Sequence, residues 1–161
     1  MSKVGRASRN ASYKRVETIT GALADATVAA PSKTIGDAET GEVYFVNNIT
    51  HDVVVVLPAV KAGAYFKFVI AAAADGSDKI LGINTGDAAV DIQGTVTVAG
   101  DVFDVTPNTS GITMAGHGAI GPLQAGDWLE FLCDGTDWYV WGQMQTAMSL
   151  VIADGLVNAS S

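Results

Sequence analysis

Gly126-Asp-Trp-Leu-Glu-Phe-Leu-Cys-Asp-Gly-Thr-Asp-Trp-Tyr-Val-Trp-Gly142 is the stretch that decides the fold. Two short apolar runs, Trp128–Cys133 and Trp138–Trp141, flank the turn Asp134-Gly135-Thr136-Asp137. An Asp-Gly pair between such runs is the strongest short-range hairpin signal, because both residues tolerate positive φ. A two-residue loop at Asp134-Gly135 or at Gly135-Thr136 gives the same sidedness. Leu129, Phe131, Cys133, Trp138 and Val140 then share an apolar face. Trp128, Glu130, Leu132, Tyr139 and Trp141 share the opposite, amphipathic one. A one-residue slip would turn Glu130 and Asp137 inward, so the alternation sets the register. The pattern predicts a hairpin that anchors an all-β domain, and none of its residues points to catalysis.

The same grammar continues on both sides. Lys14–Thr20 alternates as a first strand, and Thr27–Ala30 is a short one. Glu42–Asn47 and Asp52–Leu57 read as a second hairpin across Asn48–His51. Val53–Leu57 is apolar at every position, which predicts cover on both faces. Ala64–Ala74 alternates with Tyr65, Lys67, Val69 and Ala71 on one side. Lys79–Asn84, Ala88–Gln93, Thr95–Ala99, Val102–Thr106, Ile112–Met114 and Met148–Ala153 complete about ten short strands, broken at Gly86, Gly94 and Gly100. No helical period extends beyond a turn or two. Short strands at this spacing predict a β-sandwich or jelly-roll-like domain of antiparallel strands, spanning residues 16–161.

Composition narrows the function. The 161 residues suit one domain. The chain is 48% hydrophobic and only 16% charged, which suggests surface buried against partners. No apolar run approaches the ~18 residues of a membrane-spanning helix, so a membrane partner is not expected. Cys133 is the only cysteine, so no intrachain disulfide can form, and its place on the apolar face reads as a small buried hydrophobe. The N-terminus lacks the apolar segment of a secretory signal.

Signatures of catalysis are missing. Two histidines and one cysteine cannot be spaced as a zinc site. The turns Asp75–Asp78 and Asp134–Asp137 do not match a calcium loop. No nucleophile elbow or phosphate-binding glycine loop occurs. Glu17, Glu39, Glu42 and Glu130 read as isolated acids, so no carboxylate pair is expected. The expectation is a protein that is not an enzyme and uses no cofactor. Trp128, Tyr139 and Trp141 are the candidate partner-facing aromatics, with packing favoured over a sugar platform.

Charge is uneven. Lys3, Arg6, Arg9, Lys14 and Arg15 fall in the first fifteen residues, which contain no acid, while the whole chain carries −8. Residues 1–15 therefore read as an extended basic arm on an acidic body. The acidity of the body argues against nucleic acid as its target and favours docking on an acidic protein surface. Val53, Val55, Leu57, Val69 and Ala71 are candidates for subunit contact, with core packing as the equal alternative.

Two segments carry a family resemblance: Leu57-Pro58-Ala-Val-Lys-Ala-Gly63-Ala-Tyr-Phe-Lys-Phe68, and Gly126-Asp-Trp128 through Asp134-Gly135-Thr136-Asp137-Trp138-Tyr139-Val140. Over about residues 42–142 the chain resembles virion proteins of tailed bacteriophages. These are the small capsid decoration (cement) proteins of marine and cyanobacterial phages, and the β-modules of tail-fibre proteins. The resemblance implies a homotrimeric β-sandwich that docks on the major capsid protein at the virion surface after assembly in the host cytoplasm. It supplies no catalytic residue, and it does not predict the basic arm. The absence of heptads and the modest length favour the head over a tail fibre or baseplate. A carbohydrate-binding module is the more distant alternative.

Overall fold

A computed structural model describes residues 15–20, 24–27, 29–47, 49–74, 79–107, 110–115, 123–145, 149–152 and 155–156. The basic residues Lys3, Arg6, Arg9 and Lys14 and the turn Asp75–Asp78 lie outside the described residues. The described chain is nearly all β, with one 3-10 turn at Asp37–Glu39 and no α-helix. The strands are β1 Arg15–Thr20, β2 Lys33–Thr34, β3 Glu42–Asn47, β4 Val53–Val56, β5 Tyr65–Ile70, β6 Ile80–Asn84 and β7 Ile92–Val98. They continue with β8 Asp101–Val105, β9 Gly111–Ala115, β10 Trp128–Cys133, β11 Trp138–Met144, β12 Ser149–Ile152 and β13 Gly155–Leu156.

Two sheets result. One has seven strands in the order β1-β3-β5-β10-β11-β7-β8, and the other has six in the order β13-β12-β9-β6-β4-β2. Their apolar residues join in one continuous core. The hairpin β10–β11 forms as expected, with Cys133 opposite Trp138 and Phe131 opposite Val140. Leu129, Phe131, Cys133, Trp138 and Val140 are all buried. Aromatic rings continue this face sideways. Tyr44 stacks on Phe68 at 5.3 Å, Phe68 meets Phe131 edge-on at 5.8 Å, and Phe66 lies 5.8 Å from Trp138. From the other sheet, Val53, Leu81 and Met114 form one buried row, and Val55, Ile83 and Ile112 the next.

The expectation of antiparallel strands is corrected to two mixed sheets. β1, β3 and β5 run parallel in one sheet, and β2, β4 and β6 run parallel in the other. β7 and β11 are also parallel. The early chain thus passes alternately between the sheets, laying each strand beside the one two before it. Parallel neighbours require a crossover longer than a tight turn, and here the strand in the opposite sheet supplies it. The expected hairpin across Asn48–His51 does not form for this reason: β3 and β4 belong to different sheets. The expectation that Val53–Leu57 is covered on both faces holds, with only Val56 partly exposed.

A second correction concerns Gly94, which was read as a break between two strands. β7 runs straight through it. Gly94 has φ +144°, and a Cβ there would collide with the carbonyl oxygen of Val140 on β11. The missing side chain permits close strand approach inside the sheet.

Candidate functional site

The outward face of the seven-stranded sheet is the most distinctive surface. Strand register arranges it in rows. One row runs Val16, Val43, Lys67, Glu130, Trp141, Thr95, Asp104 from edge to edge. The next runs Thr18, Phe45, Val69, Trp128, Gln143, Thr97, Val102. A shorter row holds Tyr65, Leu132, Tyr139 and Gln93. Val16, Phe45, Val102, Leu132 and Trp141 are the large apolar side chains exposed among the described residues, and all five stand on this face. Val16 is 59% exposed and Trp141 43%. Single exposed apolar residues are ordinary; here all five large ones fall on one side of one sheet.

The face has relief. Val16, Val43, Phe45, Lys67 and Val69 line an open cleft of about 320 Å³ over β1, β3 and β5. Beside it the Lys67 ammonium sits 4.2 Å from the centre of the Trp128 ring and donates to Glu130 Oε1 at 2.7 Å. The cation thus satisfies a carboxylate and a π-face together, which holds Trp128 half-buried. At the hairpin tip Asp134 Oδ1 accepts from the backbone N–H groups of Thr136 at 2.7 Å and Asp137 at 2.9 Å. Those donors hold the Asp134 carboxyl below its ordinary pKa. Tyr139, hydrogen-bonded to Asp134 and close to its negative charge, has its phenol pushed above the usual value. The Asp134 turn therefore closes on its own backbone.

Asp127 anchors the start of β10. Its side chain is fully buried; Oδ2 accepts from Gln124 N at 3.0 Å, and Oδ1 from Gln145 N at 2.8 Å. The carboxylate ties the loop entering the hairpin to the end of β11. Burial pushes its pKa up, and the two N–H donors work against that rise.

A second cluster lies at the start of β3. Glu17, Glu39 and Glu42 bring carboxylate oxygens within 4.8 Å of one another, which corrects their reading as isolated acids. Residues far apart in sequence meet there because β1 and β3 are parallel neighbours, with Glu17 beside Tyr44. Lys33 on β2 donates to Glu17 Oε1 at 3.1 Å and to Glu39 Oε1 at 3.0 Å. Burial works against the Lys33 charge, but hydrogen bonds to Glu39 and Glu17 outweigh it and raise its pKa. Glu42 is 4% exposed and accepts from the Tyr44 hydroxyl at 2.9 Å. Burial, followed by the bond to Glu42, pushes the Tyr44 phenol far up, so it stays a neutral donor. Among the described side chains the Lys33 ammonium pairs with Glu17 and Glu39, and the ion pair with Glu17 joins the two sheets.

No family model matches the sequence, and neither a curated protein nor a solved structure is significantly similar to the chain.

The expected site residues separate into three groups. Trp128, Tyr139 and Trp141 come together on the outward face. Of the candidate subunit contacts, Val53, Val55 and Leu57 are buried in this chain's own core, which is the packing alternative, whereas Val69 lines the cleft and Ala71 is exposed just past β5. Of the arm, Arg15 is the first residue of β1, and Lys3, Arg6, Arg9 and Lys14 lie outside the described residues. Sequence reading missed Val16, Phe45 and Val102 as members of the same surface. Their alternation is visible in the sequence, but the lateral neighbours of Val16 and Phe45 depend on the parallel pairing of β1, β3 and β5, and those of Val102 on the place of β7 and β8 at the far edge of the sheet.

Proposed function

We propose that the chain is a structural assembly protein: a capsid decoration protein with a β-sandwich body on the outer surface of a tailed-phage head. The observation that carries this reading is the outward face of the seven-stranded sheet, where the exposed large apolar side chains of the described residues collect. Such a face is built for contact with protein, and contact is the activity of a cement protein. The resemblance at Leu57–Phe68 and Gly126–Val140 supplies the phage context. The basic residues Lys3, Arg6, Arg9, Lys14 and Arg15 dock on the acidic surface of the major capsid protein, across the seam between neighbouring capsomers. The carbohydrate alternative is weakened by Lys67, which lies over the Trp128 ring where a sugar would stack.

Gold-labelled protein mixed with capsids and intact virions tests the reading by electron microscopy. Regular label over the head is expected. Label confined to the tail replaces the head assignment with a tail-fibre or baseplate one, and no label on either removes the virion role. Deleting residues 2–15 is expected to abolish occupancy on the head; full occupancy without them overturns the docking role of the arm.

A further inference from the structure

We infer that the outward face of the seven-stranded sheet binds the same face of a second copy of this chain, through a two-fold contact. Among the residues that register places on this face, only Lys67, Glu130 and Asp104 are charged, and Lys67 and Glu130 neutralise each other. The chain as a whole carries −8, so two copies repel wherever their acidic surfaces meet. A nearly uncharged face is where like-charged copies approach at least cost. A strongly charged partner would instead call for a face of opposite sign.

The central pair is also complementary to itself. Lys67 on β5 and Glu130 on β10 are direct cross-strand partners. A two-fold axis along the strands, between β5 and β10, sets Lys67 of each copy opposite Glu130 of the other. Such an isologous contact buries the apolar residues of both copies in one step and closes at two subunits. The area suffices. Seven strands ~4.8 Å apart and about 20 Å long present a face of roughly 600 Å² in plan, comparable with one side of a standard interface. The arm makes a poorer occupant, because five of its fifteen residues are basic while the described residues of the face include only two acids, Glu130 and Asp104, the first of them paired with Lys67.

This inference deepens the assembly reading in taking protein as the occupant, and it holds for head and tail locations alike. It replaces the trimer implied by family resemblance with a two-fold pair. Light scattering on the full chain at micromolar concentration tests it, and a mass twice the 16.6 kDa of one chain is expected. A monomeric or trimeric mass overturns it. Phe45→Asp and Trp141→Glu are expected to weaken pairing at least ~100-fold, since each buries an unpaired charge. Ala59→Glu, at an exposed position in the loop after β4, is expected to leave pairing unchanged. Circular dichroism confirms that each variant is folded. Lys67→Glu and Glu130→Lys chains should associate weakly alone and pair when mixed; failure to pair on mixing overturns the two-fold register. A monomer that still decorates capsids overturns the inference and leaves the proposed function intact.

Discussion

Removing the Asp127 carboxylate tests what holds the hairpin, and with it the outward face, in place. Its side chain is fully buried and receives two backbone N–H groups, from Gln124 at 3.0 Å and Gln145 at 2.8 Å. Hydrogen bonds to a charged group are each worth about 1.5–3 kcal/mol, and part of that is offset by the cost of burying the charge. Asp127→Ala is therefore expected to cost about 3 kcal/mol, and Asp127→Asn about 1–2 kcal/mol, since the amide keeps one acceptor but turns N–H toward the second donor. The pH dependence is specific. Because burial raises the folded-state pKa, the folded state holds this proton more tightly than the unfolded chain does. Its contribution is full below the unfolded pKa of about 3.9 and is lost as pH rises through the raised folded value. Urea unfolding followed by tryptophan fluorescence at several pH values measures both effects, and wild type should show a falling component that Asp127→Asn lacks. A loss under ~0.5 kcal/mol for Asp127→Ala, or identical pH profiles, would refute the reasoning.

Lys33→Met removes the ammonium that bridges Glu17 and Glu39; a loss of roughly 2 kcal/mol is expected at neutral pH, and denaturant titration checks it. Gly94→Ala should cost more than ~3 kcal/mol or prevent folding, because φ is +144° and the added carbon meets the Val140 carbonyl; soluble yield and thermal melts report it. Asp134 should titrate below an ordinary aspartate by NMR; its stabilising contribution is present above the unfolded pKa and is lost as pH falls through the depressed folded value. In Asp134→Asn this acid-range loss should be absent.

How much of this was readable beforehand depends on whether the controlling interaction is local. The hairpin was readable because its signal lies within one stretch: Asp134-Gly135 turns the chain, and strict alternation sorts Leu129, Phe131 and Cys133 from Trp128, Glu130 and Leu132. The buried state of Cys133 followed from the same alternation. The sheet topology was not readable. Alternation at Glu42–Asn47 states that Tyr44 and Phe45 point oppositely, but it is silent on which strand lies beside them or in which direction. A tight-looking turn at Asn48–His51 invited a hairpin, while burial of Val53 and Val55 against Leu81 and Ile83 drew the next strand into the other sheet. The Glu17–Glu39–Glu42 cluster was invisible for the same reason: it exists because β1 and β3 lie parallel. Gly94 was misread because a strand-breaking glycine and one that admits a close neighbour look alike in sequence.

The inward and outward faces are thereby coupled. Tyr44, Phe68, Phe131 and Trp138 fill the inward side of adjacent strands, and a slip of one residue in any of them would expose a ring. The penalty for such a slip exceeds anything the wet outward residues could repay, so the core dictates the outward rows. Val16, Phe45, Trp128 and Trp141 stand together because their inward neighbours fix the register. A surface held in this way requires little ordering on contact, which favours the recognition of one fixed partner geometry. The surface polar pair fits the same economy. Lys67 and Glu130 could have been replaced by apolar residues at little cost to the fold, because exposed ion pairs contribute at most about 1 kcal/mol. Placed at the centre of a face whose other side chains are uncharged apart from Asp104, they restrict the proposed pairing to a partner whose charges fall in the reverse order.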